Sequence, residues 1–340
     1  MSSAYTLTEN APLDRRNTLR VPARAAWLAE IRDALAIPEV LSLPQVKGKS
    51  FMVLGEGSNV LFTHDFDGLV VVMANRGIKV LADEGATVRV CAQAGEDWHC
   101  LVRWSLAQSL CGLENLSLIP GTVGAAPIQN IGAYGAELAE TLETVKAFDR
   151  QANESVRLGR EQCAFRYRDS VFKQSPDRWI ITAVELRLRR NATLKLGYAG
   201  VRDELAAMQV NKPTAKDVSE AVCRLRRRKL PDPALIGNVG SFFKNPLVSN
   251  NEAQQLTSAH PGLPIFAAPD GKKLSAAWLI EHCGWKGFRE GDAGVSNKHA
   301  LVLVNHGKAT GAQIWSLAER IRDSVREKFG IRLEPEPRIL

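Results

Sequence analysis

Residues 118–135, LIPGTVGAAPIQNIGAYG, constrain this chain more than any other stretch: four glycines, two prolines and three alanines stand among apolar residues with no charge. Glycine frees the backbone to take positive φ and to approach a ligand with no Cβ in the way. Its repetition here points to main chain lying against something flat or phosphorylated. A buried irregular connection that needs small residues only for close packing stays open as the alternative. Thr122, Gln129, Asn130 and Tyr134 add donors and acceptors to a segment too apolar for a solvated loop, which suits the wall of a pocket.

At 340 residues, 45% hydrophobic and 24% charged, the composition allows two or three domains with a sizeable core. The net charge of +7 is spread along the chain, which favours a small anionic ligand over nucleic acid. Six cysteines at 91, 100, 111, 163, 223 and 283 form no CxxC pair, and the six histidines form no HExxH. They read as reduced thiols in a cytoplasmic protein without a signal peptide, and a metal site has no support. No apolar run is long enough to span a membrane.

Taken in order, the chain to about Asn17 reads as a poorly ordered arm. Trp27, Leu28, Ile31 and Leu35 have helical spacing, which predicts a helix over 25–36 closed by Pro38. Phe51–Leu54, GEGSN at 55–59 and Val60–Phe62 read as strand, glycine turn, strand. A Rossmann motif or a P-loop needs that turn to open into a helix, and none follows. The turn is either an ordinary hairpin turn or a backbone nest for an anion. Further strands are expected at 69–73 and 86–92, and a helix over 96–110 burying Trp98, Leu101, Val102, Ser105 and Leu106. Residues 144–188 read as strands. A capping box at Thr214–Asp217 starts a helix running to Lys229, and further helices are expected at 274–283 and 311–329. Ser241 has neither a GxSxG frame nor an adjacent histidine, so a serine hydrolase is not indicated.

Six blocks in order, GEGSNVLF at 55–62, IPGTVGAAPIQNIGAYG at 119–135, FRYRDS at 165–170, KLPDP at 229–233, GSFFKNP at 240–246 and LEPEPR at 333–338, closely resemble the UDP-N-acetylenolpyruvoylglucosamine reductase family. These flavoenzymes make UDP-N-acetylmuramate for bacterial peptidoglycan. The resemblance implies FAD as cofactor, NADPH as electron donor and a cytoplasmic monomer acting on a small molecule. It also implies an α+β fold of three domains: two flavin-binding lobes of the vanillyl-alcohol-oxidase type at 1–77, with the strand 330–340, and at 78–211, then a substrate-binding domain at 212–329.

Carried over by position, the resemblance sets Gly55, Glu56, Gly57, Ser58, Asn59 and Val60, with Ile119, Gly121, Thr122, Gly124, Ala125, Gln129, Asn130, Gly132, Ala133 and Tyr134, against the flavin. Arg226 and Arg338 are expected to help hold it. Tyr167, Tyr198, Lys229, Asn245 and His299 fall on substrate-binding positions, Tyr198 in the form of the family with a substrate-covering tyrosine. Arg168, Ser241 and Glu336 fall on the catalytic positions. A hydride from reduced flavin adds to the enolpyruvyl double bond; Arg168 steadies the charge that develops on the carboxylate, Glu336 acts protonated or sharing a proton with that carboxylate, and Ser241 supplies a proton. Departures are few: alanines at 125 and 126 stand where relatives can have serines, NTLR at 17–20 replaces a more usual NTF, and the tail ends two residues after Arg338. Another flavin oxidoreductase of the same cofactor fold, or a nucleotide-sugar binding protein without catalysis, are the competing expectations.

Overall fold

The computed structural model describes residues 4–268 and 271–340. The chain divides into two compact units, one of residues 1–11, 25–56 and 67–226, the other of residues 12–24, 57–66 and 227–340. Both mix helices with sheets whose pairing is mostly antiparallel, an α+β architecture.

In the first unit a four-stranded sheet runs in the order Tyr5–Pro12, Arg24–Ile31, Phe66–Met73, Ser50–Val53. A five-stranded antiparallel sheet runs Glu154–Gly159, Leu142–Asp149, Trp179–Arg189, Thr87–Gln93, Ile78–Asp83. Phe148 and Ile180 of the second sheet join Ile31, Phe51, Leu69 and Val71 of the first in one core. The helix Trp98–Ala107 covers the five-stranded sheet, burying Trp98, Leu101, Val102, Ser105 and Leu106 as its spacing predicts. It starts where Asp97 accepts the N–H of Cys100 at 2.6 Å. The helices Val201–Ala207 and Ala215–Lys229 pack Val201, Leu205, Val218, Val222 and Leu225 around Tyr134.

In the second unit the strands Gly237–Asn238, Leu303–Asn305, Ala293–Val295 and Arg289–Glu290 form one sheet, and Leu247–Val248, Gly271–Leu274 and Ile265–Ala268 another. The strand Arg338–Ile339 lies parallel to Val60–Leu61. The helix Gly311–Phe329 keeps the bounds its sequence predicts, capped by Thr310 and Gln313 at one end and by Gly330, at φ +71°, at the other. Glycine at 311 is a steric requirement, since a Cβ there would stand 1.6 Å from the carbonyl oxygen of Phe62.

Three expectations are corrected. Residues 25–36 are not one helix: Arg24–Ile31 is an inner strand, followed by a 3-10 turn at Ala34–Ala36 and a short helix Ile37–Ser42 that Pro38 opens rather than closes. Ala25, Ala26, Leu28 and Ala29 put apolar residues on both faces of the strand, so the alternation is lost and the run also fits helical spacing. Leu35, expected in the core, is 85% exposed. The N-terminal arm is ordered as the edge strand Tyr5–Pro12, and Asn17 is buried, donating to the carbonyls of Leu13 and Val21 and accepting the N–H of Val21. Finally, GEGSN joins no hairpin: Ser50–Val53 pairs with Phe66–Met73, and Val60–Leu61 with Arg338–Ile339.

Candidate active site

The glycine-rich stretch is held in the first unit by main-chain bonds to residues 94–98. Trp98 N–H donates to the Gly121 carbonyl at 3.0 Å, Val123 N–H to Glu96 at 2.8 Å and Gly124 N–H to Ala94 at 2.9 Å. Ala125 and Ala126 continue it with side chains no longer than a methyl. Gly55 faces the same segment so closely that its Cβ would stand 3.0 Å from Thr122 Oγ1 and 3.2 Å from Ala125 Cβ. Glu56 accepts the N–H of Gly121 at 2.8 Å, and burial together with the charge of Asp97 raises its carboxyl above the usual range. The backbone turns left-handed at Leu118, Gly121, Asn130, Tyr134 and Gly135. The result is a wall of irregular main chain, with Ile119, Gln129, Gly132 and Ala133 half-buried along it.

Side chains gather at one end of this wall. Arg226, on the helix Ala215–Lys229, donates Nε–H to the Leu118 carbonyl at 3.1 Å, and desolvation lowers its pKa while the phenol of Tyr134 counters that. Tyr134 is buried, its phenol pushed up by desolvation and drawn back by Arg226. Its ring meets that of Tyr198 edge-on at 5.1 Å. An open cleft of about 510 Å³ follows, lined by Tyr134, Gly135, Leu194, Leu196, Tyr198 and Arg202.

FRYRDS is a tight turn rather than plain strand. Arg166 and Asp169 exchange both main-chain hydrogen bonds, so Tyr167 and Arg168 are its two central residues, Arg168 at φ +56°. Arg168 donates Nη2–H to the Gly132 carbonyl at 2.7 Å, which brings the arginine onto the glycine-rich wall. Its guanidinium lies 5.3 Å from the Tyr167 ring centre. Asn130 behaves otherwise than a ligand-facing amide. Its side chain is buried, donating to Glu137 at 2.8 Å and accepting the N–H of Ala139 at 3.0 Å, so what it offers a ligand is backbone.

The second unit carries the remaining residues. Phe243 pairs with Pro335, and Glu336 N–H donates to the Phe242 carbonyl at 2.9 Å, so Glu336 stands opposite Phe242, the residue that follows Ser241. Asn59 donates its amide to the Glu336 carbonyl at 3.4 Å and accepts the N–H of Arg338 at 3.0 Å, tying Gly57, Ser58, Asn59 and Val60 to the same place. Gly57 is essential there, since a Cβ would stand 2.2 Å from the Arg16 carbonyl oxygen. His299 accepts the Leu301 N–H on Nδ1 at 3.3 Å, and burial with the charges of Lys229 and Lys286 lowers its pKa. The ring is therefore neutral at pH 7 with its proton on Nε2. Asn245 accepts the Ala276 N–H at 3.0 Å, which aims its NH₂ away from that helix start.

The FAD binding domain model matches residues 25–157, and the model for the C-terminal domain of UDP-N-acetylenolpyruvoylglucosamine reductase matches residues 232–340. A UDP-N-acetylenolpyruvoylglucosamine reductase of Xanthomonas euvesicatoria pv. vesicatoria is 52% identical over 99% of this chain and 97% of its own length. The chain belongs to this family. Another member, from Xylella fastidiosa strain M12, is 52% identical over 99% of the chain and 96% of its own. The crystal structure of the Thermus caldophilus enzyme of that name superposes with a TM-score of 0.68 at 25% identity, covering 98% of each chain.

FAD, the cofactor of this family's binding domain, fits the residues present. The segment offers partly buried main chain that turns to positive φ at Asn130, Tyr134 and Gly135, with the half-buried cation of Arg226 at its end, while Gly55 and Gly124 are required by packing against Thr122, Ala125 and Ala94. Among the described residues no cluster of His, Cys, Asp and Glu suits a metal, and no helix is long and apolar enough to cross a membrane. Sequence reasoning does not find Asn115, whose amide holds the main-chain carbonyls of Tyr134 and Lys195. A lone asparagine beside an apolar run was the only available signal, and it does not say which distant carbonyl is met.

Proposed function

We propose that the chain reduces UDP-N-acetylglucosamine enolpyruvate to UDP-N-acetylmuramate, with FAD as cofactor and NADPH as electron donor. The observation that carries the reading is the 52% identity to reductases of that name across 99% of the chain, with an FAD-binding match over 25–157. Bound FAD supplies the hydride. The residues of 55–60 and the wall 119–134 hold it, helped by Arg226 and Arg338.

Arg168 grips the enolpyruvyl carboxylate through its planar fork and steadies the negative charge that develops there. Its donated bond to Gly132 and its turn position support a preset orientation. Ser241 gives its hydroxyl proton to the α-carbon and is reprotonated from solvent. Glu336, whose main chain is tied to Phe242 next to Ser241, donates a hydrogen bond from a protonated carboxyl in this reading. Tyr167, Tyr198, Lys229, Asn245 and His299 bind the UDP-sugar, with His299 neutral and donating from Nε2. We extend the proposal to a cytoplasmic monomer without nucleic-acid or membrane partners. In it, lobes 1–77 with 330–340 and 78–211 enclose the flavin, and 212–329 takes the substrate.

The test is an anaerobic spectrum of the purified protein, followed on adding NADPH and then the enolpyruvyl sugar. Bleaching of a flavin band by NADPH and its recovery only after the sugar is the expected result. A band that bleaches and is not restored by the sugar overturns the substrate; a colourless protein that takes up no FAD overturns the whole reading.

A further inference from the structure

Asn115 lies on the 3-10 turn Glu114–Leu116, just ahead of the glycine-rich wall, and is 2% exposed. Its amide nitrogen donates twice, to the Tyr134 carbonyl at 2.8 Å and to the Lys195 carbonyl at 2.9 Å. Those carbonyls belong to the two segments that bring Tyr134 and Tyr198 into edge-on contact. Residues 192–197 have no regular secondary structure of their own. Cys111 meets the main chain of Ala192 at the start of this loop, but the other side-chain hydrogen bonds near Tyr198 are long and exposed: Arg202 Nε on the Leu196 carbonyl at 3.3 Å, and Lys195 Nζ on the Gly135 carbonyl at 3.1 Å and on Glu140. Such side chains give up much rotamer freedom to hold a bond, whereas a buried amide is already fixed.

We propose that Asn115 is a positioning residue for the substrate-binding tyrosine. It pins the main chain three residues before Tyr198 to the main chain of Tyr134 in the flavin wall, giving the segment that carries the Tyr198 phenol to the UDP-sugar a fixed anchor. An amide is the side chain suited to the task. Two N–H groups on one nitrogen satisfy two carbonyls at once, where an ionised aspartate offers none and serine only one. The proposal rests on the reading that Tyr198 binds substrate.

The test is a double-mutant cycle on the FAD-loaded enzyme, with Asn115→Ala, Tyr198→Ala and both together, measured by steady-state kinetics with UDP-N-acetylglucosamine enolpyruvate and by the rate of flavin reduction on mixing with NADPH. Asn115→Ala is expected to raise KM for the sugar about fivefold, the equivalent of one net hydrogen bond. Flavin reduction should stay within about twofold, inside the error of additive bookkeeping. In the Tyr198→Ala background the same change should leave KM where Tyr198→Ala alone puts it. A KM effect of Asn115→Ala that persists undiminished in that background overturns the proposal alone, as does an unchanged KM with a fallen kcat. Tyr198→Ala with wild-type KM removes the substrate reading of Tyr198 and the proposal with it. If Asn115→Ala fails to load FAD, Asn115→Ser keeps one donor and enters the same cycle; failure of both to load assigns Asn115 to the fold and overturns the proposal.

Discussion

Gly124→Ala adds one methyl group where the structure has room for none. The new Cβ would stand 2.7 Å from the Cβ of Ala94 and 3.2 Å from its Cα and its carbonyl oxygen. Carbon atoms pack at about 3.5–4.0 Å, so the two segments must part by roughly 1 Å. Neither side can yield by turning a flexible side chain, because the atoms met are main chain and a methyl. The movement also pulls on the 2.9 Å hydrogen bond from Gly124 N–H to the Ala94 carbonyl. Overpacking of this kind costs about 1–3 kcal/mol and the lost bond about 1 kcal/mol more. For a unit of this size that total lowers Tm by roughly 5–15 °C. The apparent Kd for FAD should rise in parallel, since 121–125 carry the wall. Differential scanning calorimetry with a fluorescence titration of FAD checks both. Gly135→Ala is the control: the nearest atom its Cβ would meet, in Tyr198, is 3.9 Å away, so only the strain of φ +80° remains, about 1 kcal/mol. Gly124→Ala with wild-type Tm and FAD affinity would refute the close-approach account of the wall.

Ser241→Ala should leave flavin reduction by NADPH nearly intact and lower product formation by at least about 100-fold, the scale of a lost general acid; stopped-flow measurement of the two half-reactions separates them, and equal loss of both would remove Ser241 from the protonation step. Glu336→Gln, which still donates a hydrogen bond, should keep about tenfold more activity than Glu336→Ala, as one charge-assisted bond allows; equal kcat/KM for the two variants would sink the protonated-carboxyl account. The Asp149 carboxyl is held below the usual range, first by the two-pronged grip of Arg178 and then by the N–H groups of Gln151 and Ala152. A depressed native pKa adds stability above the ordinary carboxylate range that is lost as pH falls through the native value. Asp149→Asn should therefore lower Tm at neutral pH and converge with wild type in acid, and parallel Tm profiles would contradict it.

What the sequence shows depends on whether a residue's partner is near in the chain. The helix Gly311–Phe329 is legible to the residue because its caps, Thr310 with Gln313 and Gly330, lie within a turn of its ends. The helix Trp98–Ala107 is legible because its five buried residues share one face. The strand Arg24–Ile31 is not, because its neighbours in the sheet lie elsewhere in the chain and apolar residues on both of its faces erase the alternation a strand should display. The edge strand Ile78–Asp83 escapes for the opposite reason: Val80 and Leu81 are both exposed, so neither alternation nor an apolar run marks it. In the site, the glycine stretch announces a close backbone approach but not its target. That Ala94 is the atom met by Gly124, or that the Asn130 amide is spent on Glu137, comes only from pairing across the fold.

Arg168 shows why such pairing matters for chemistry as well as packing. The second central position of its turn, at φ +56°, is one that glycine fills at no cost and arginine at about 1 kcal/mol or more. Glycine there would ease the turn and leave no cation. The strain is compensated by reach: from this position Nη2 meets the Gly132 carbonyl at 2.7 Å, and Gly132 has no Cβ, which would otherwise stand 3.0 Å from Nη1. The glycine absent from the turn and the glycine present in the wall are thus two halves of one arrangement. The backbone accepts strain at 168 and gives up a side chain at 132 so that a guanidinium, held at one prong, keeps a fixed direction. A fixed cation needs no reorganisation when negative charge develops beside it, which is the property that the role proposed for Arg168 requires.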